Sequence, residues 1–168
     1  MPEIRRLTTG KTIEYSGPFH LGGLRDQIDT WFGDRFDYDA DKVIDEEQVF
    51  QDHKQLKVVW DAKKDMSDYA MIKMEVTLLI DDLRDVRIET EDGTIAAKDG
   101  DITFMIDAWI HTDTEGKYEN RPLLYFFRYV AEHMLYKNYI DEYEERLHEH
   151  INDLQREVRR FLNKDIQV

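Results

Sequence analysis

Apolar residues recur along this chain at two distinct periods, and the switches between them outline its elements. Ile13 and Tyr15 alternate with polar neighbours over residues 11–15, which predicts a strand, and Gly17-Pro18 is expected to end it. Leu21, Leu24, Ile28, Trp31 and Phe32 then recur at helical spacing, giving an amphipathic helix that closes near Gly33. Over residues 36–53 the pattern is indistinct. Phe36, Tyr38, Val43, Val49 and Phe50 lie scattered among acids there, and a strand is expected near residues 47–52.

Leu56, Val58 and Trp60 alternate cleanly, and Ala70, Ile72, Met74, Val76, Leu78 and Ile80 fall on one face of a long strand. Val86 and Ile88 carry the pattern on to Glu91-Asp92-Gly93, a hairpin turn. A short strand over residues 94–97 is expected to reach a second turn at Lys98-Asp99-Gly100. The last strand places Ile102, Phe104, Ile106, Ala108 and Ile110 on one face, with Thr103, Met105, Asp107, Trp109 and His111 on the other. Residues 122–162 read as helix. Pro122 suits a first helical position, and Asn138 is a capping residue at which the segment can break.

The fold class that follows is α+β: an antiparallel sheet of five to seven strands, one short helix after the first strand, and a long C-terminal helix. This is the order of helix-grip domains, an analogy of architecture that says little of function. Residues 1–137 are expected to form the α+β domain, and residues 138–168 a C-terminal helical extension.

Composition narrows the function classes. Without cysteine the chain has neither disulfides nor thiolate chemistry. The N-terminus lacks the apolar run of a signal peptide. The most apolar window, residues 123–140, is broken by Arg128, Glu132, His133 and Lys137, so no membrane span is expected and the location is read as cytoplasmic. A net charge of −14 repels a phosphate backbone, which argues against nucleic acid. The one basic cluster, Arg156, Arg159, Arg160 and Lys164, follows Asp141, Glu142, Glu144 and Glu145 in the order that suits a helix dipole.

Residues 11–19 (KTIEYSGPF), 28–32 (IDTWF), 67–73 (SDYAMIK) and 121–129 (RPLLYFFRY) together resemble a family of small, mainly archaeal proteins with no assigned activity. The resemblance runs over most of the first 140 residues, implies a compact domain, and carries no catalytic residue to this chain.

Candidate chemistry is sparse. Asp37, Asp39 and Asp41 open a calcium-loop pattern, but Lys42 stands where the turn needs glycine and Gln48 where it needs a bidentate glutamate. Glu145 and His148 share a helix face, yet a di-iron bundle needs a second such pair and two further glutamates. Asp107 and His111 share a strand face about 13 Å apart, too far for direct proton exchange. No catalytic, cofactor or metal residue is therefore assigned.

Two readings remain. Ile140, Tyr143, Leu147, Ile151, Leu154, Val158 and Phe161 form a stripe that must be covered, by the sheet or by a partner. The first reading is a non-enzymatic interaction or assembly module that contacts a protein partner, most simply a second copy, through Leu147, Ile151, Leu154, Val158 and Phe161. The alternative is a small-molecule domain with an apolar cavity lined by Trp31, Trp60, Trp109, Tyr125 and Phe127, although such aromatics more often fill a core.

Overall fold

The computed structural model describes residues 3–67, 70–90, 93–112 and 137–164. Its elements are β1 (Glu3–Phe19), α1 (Leu21–Thr30), a π-helical turn (Trp31–Arg35), β2 (Asp39–Val49), β3 (Lys54–Asp65), β4 (Ala70–Thr90), β5 (Gly93–Thr112) and α2 (Lys137–Lys164). The fold is α+β. Among the described residues five antiparallel strands form one sheet, in the order β1-β5-β4-β3-β2.

Alternation dictates the register. Ile72 stands opposite Ile110, Leu78 opposite Phe104 and Ile80 opposite Ile102, so the two longest apolar runs share one face and are buried. A one-residue slip would turn both runs away from the core. On that face lie α1, the π-turn and α2. Ile28, Trp31 and Phe32 pack from one side, and Leu147, Ile151, Leu154, Val158 and Leu162 complete the same core. His20 caps α1 by accepting the Gly23 N–H at 2.9 Å. A side chain on Gly23 would meet the Phe161 ring at 2.8 Å, so this glycine is where the two helices approach.

Three expectations differ from the structure. β1 runs through Gly17-Pro18 instead of stopping there. Gly17 holds φ at +134°, a glycine conformation, and Pro18 sits in a terminal strand of the described sheet, where its missing N–H breaks no ladder. The strand in the indistinct region is β2 over Asp39–Val49, earlier than expected. As an end strand it buries little on either face, so no alternation marks it. Finally, Lys98-Asp99-Gly100 is no turn: β5 continues through it. The irregularity falls on the neighbouring strand, where the register shifts between Asp81 and Arg84 and Asp82 adopts φ +53°. A Cβ on Gly100 would lie 2.8 Å from the Asp81 carbonyl oxygen, so the glycine lets that bulge close over it.

The long stripe is covered by the chain itself. Leu147, Ile151, Leu154 and Val158 are fully buried against the sheet, and Phe161 packs on the same core. An apolar row opposite an uncovered apolar sheet face gains most by folding back, and a second copy has nothing left to bury there.

Candidate functional site

A polar cluster lies where the π-turn and the start of β2 meet α2. Trp31 is buried in the core, and its indole N–H needs an acceptor. Asp153 of α2 supplies it at 3.0 Å. The same carboxylate takes Arg35 through Nε at 2.9 Å and Nη2 at 3.0 Å, and Arg156 at 2.8 Å. Burial alone would raise the Asp153 carboxyl, but the Trp31 and Arg156 hydrogen bonds and the two guanidinium charges outweigh it and hold it below the usual carboxylate range.

One turn earlier on α2, His150 Nδ1 is 2.8 Å from the Tyr38 hydroxyl, and Phe36 lies against its ring at 4.0 Å between centroids. Desolvation, helped by the Lys64 charge and opposed by Asp153, pushes His150 down to about 4. Burial pushes the Tyr38 phenol up. Both groups are neutral over the ordinary pH range, and each is committed to the other. Phe36, Glu149, His150, Asn152, Asp153 and Arg156 border a recess of about 410 Å³ beside them. The cluster contains no activated nucleophile; it joins the loop to the helix.

The predicted cavity aromatics do not come together. Trp31 and Trp60 are both buried on the helix side of the sheet, and Trp60 donates to Asp29 of α1 at 2.7 Å. Trp109 faces the opposite side, where Arg6 lies 5.7 Å from its ring, because it is offset by one residue from Ala108 and Ile110 of the core. One chamber cannot be lined by all three. Tyr125 and Phe127 lie outside the described residues.

The remaining candidates are placed as follows. Glu145 and His148 are exposed on α2. Asp107 pairs with Arg6 at 3.1 Å, and His111 is lowered by burial and by the Lys73 charge. Asp37 holds φ +53° at the entry to β2, while Asp39 and Asp41 belong to a strand and not to a calcium-binding loop.

The face opposite the helices shows what the linear pattern hid. Asp41 stands opposite Asp61, Asp61 opposite Glu75, and Glu75 opposite Asp107, a row of carboxylates across four strands. Neighbours in such a row lie about 5 Å apart, and like charges there are unfavourable. Two counter-ions come from the adjacent row: Lys73 reaches Asp61 at 3.2 Å and Arg6 reaches Asp107. At the end of the row β2 is the terminal strand of the described sheet. Val43 and Val49 are 56% and 69% exposed, and Phe50 just beyond is also exposed. Lys42 pairs with Asp29 at 2.6 Å and Arg25 with Asp45, which ties the helix-side face of β2 to α1.

Sequence reasoning missed Asp153, Tyr38 and His150. The available signal was Asp153 itself, an acid beside Leu154 within the apolar stripe, together with a Trp31 indole that requires a partner. The carboxylate row had no signal, because it exists only once the register is known.

In comparisons with known proteins, no family model matches the chain, no curated protein matches it, and no solved structure matches it. No helix among the described residues is long and apolar enough to cross a membrane.

Proposed function

We propose that this chain is a non-enzymatic interaction domain whose partner contacts lie on the sheet, and that it works in the cytoplasm. The observation that carries this reading is the β2 end of the sheet, which no other described strand pairs. β2 spans 11 residues with little burial on either face, and it presents Val43 and Val49 to solvent. An uncovered edge offers unpaired backbone groups and is a common place for a second chain to dock. The β4–β5 ribbon supports the same reading. Pairing of β3 with β4 reaches no further than Ile80, and pairing of β1 with β5 no further than Lys98. Residues 84–90 and 93–97 therefore pair with each other alone in the described sheet, and Ile95 is exposed.

A photo-crosslinking residue placed at Val43, at Ile95, and at exposed Thr30 as a control tests the reading in the native cell. A discrete protein adduct at Val43 or Ile95, absent at Thr30, is expected. Adducts at neither position would remove it.

A second reading, a small-molecule domain, has one observation in its favour. The recess of about 410 Å³ beside His150 falls within the usual range of ligand sites, with Phe36 and Arg156 on its wall. Native mass spectrometry of protein purified from its own cell tests this: a bound small molecule that His150→Asn releases supports it.

A further inference from the structure

Resting on the interaction reading, we propose that β2 receives a basic, extended segment of a partner protein as an added strand. The strand register decides which chemistry fits. With Lys42 and Asp45 turned to α1, the face of β2 opposite the helices carries Asp39, Asp41, Ile44 and Glu46. The described residues provide no ion partner for its three carboxylates. An incoming strand puts alternate side chains directly opposite these positions, at about 5 Å. Lysine or arginine at those positions meets Asp39, Asp41 and Glu46, and an apolar residue between them meets Ile44. A residue opposite Asp41 also extends the carboxylate row that runs through Asp61, so a cation there answers a repulsion already built into the sheet.

The same charges exclude the simplest alternative. A second copy pairing β2 to β2 would bring a second set of the same acids to an edge that already carries Asp39, Asp41 and Glu46, on top of the repulsion between two chains of net charge −14. The acids thus guard the edge against self-pairing while leaving it open to a basic strand.

The test uses the full chain and three dye-labelled ten-residue peptides, followed by fluorescence anisotropy and amide exchange. The first alternates lysine with valine, the second glutamate with valine, and the third has the lysines of the first with proline in place of valine. The lysine–valine peptide is expected to bind, more tightly at low salt, and to slow exchange of β2 amides. The glutamate peptide should not bind. The proline peptide, equal in charge but unable to complete the ladder, should bind roughly tenfold more weakly. Asp41→Lys combined with Glu46→Lys, both at exposed positions, should weaken the lysine–valine peptide by about tenfold. Equal binding of the lysine–valine and proline peptides would overturn strand addition, as would no binding of the lysine–valine peptide or equal binding of the glutamate one. If the peptides fail while Ile95 still yields a discrete cross-linked protein, the β2 assignment falls and the interaction reading stands. Failure of both removes both.

Discussion

Gly100 and His150 are the single residues with most at stake, one through backbone and one through charge. A methyl group at Gly100 would press on the Asp81 carbonyl at 2.8 Å, a backbone atom that cannot rotate away. Gly100→Ala should therefore cost about 1–3 kcal/mol in chemical denaturation, as overpacked sites do, whereas Gly93→Ala at the open hairpin end meets no atom and loses only through its positive φ. His150 has a folded value of about 4 against an ordinary 6.5. Above pH 6.5 both folded and unfolded chains hold a neutral ring, and nothing is lost. As the pH falls from there towards 4 the unfolded chain binds the proton first, so stability declines across that window and levels off below it. A shift of this size in a fully buried group is worth about 3 kcal/mol, and partial exposure to solvent brings it to about 1 kcal/mol. Urea unfolding at stepped pH should show the slope, and His150→Asn, which keeps an amide near Tyr38, should remove that component of it.

Elements were legible in proportion to how one-sided their burial is. β4 and β5 alternate without interruption where one face meets the described helices, and the sequence alone places their core positions. Phe104, fully buried opposite Leu78, should lose roughly 3–5 kcal/mol on replacement by alanine; a loss below about 1 kcal/mol would place the core on the other face. α2 was equally clear as a stripe, but periodicity states that a face is covered and never by what. Its buried Asp153 decides in favour of the sheet side, since it must lie beside Trp31 and Arg35. Asp153→Ala strands a buried indole N–H and removes an ion partner from Arg35 and Arg156, and about 1–3 kcal/mol of stability should go with it. β2 had no such signature. Among the described strands it has one neighbour, β3, and it buries little on either face, so charge and apolar residues mix freely and no local pattern marks the candidate docking edge. The carboxylate row follows similarly from pairing between strands far apart in sequence, which no local pattern encodes.

For the molecule as a whole, the question is whether α2 is an appendage or a wall of the core. Lys11 reaches Asn152 at 2.9 Å and Arg5 reaches Glu144 at 2.7 Å, so β1 is tied to α2 by charged contacts at two levels. These are surface pairs and contribute little alone. The apolar contacts weigh far more. Leu147, Ile151, Leu154, Val158 and Leu162 are each buried to 1% exposure or less, and at about 1.5–3 kcal/mol per side chain they represent on the order of 10 kcal/mol. That equals the whole net stability of an ordinary domain. Removing α2 also takes away the cover it gives to β1, β5 and α1 and leaves Trp31 without its acceptor. A chain ending at Asn138 should therefore not survive as a folded domain: far-ultraviolet circular dichroism should show no cooperative melting transition, and the fragment should expose apolar surface to a dye such as ANS. The full chain should melt in one transition, because its core is built from both parts at once. A truncated chain that melts cooperatively near the temperature of the full one would show that the sheet and α1 hold together unaided, and α2 would again be free for a partner.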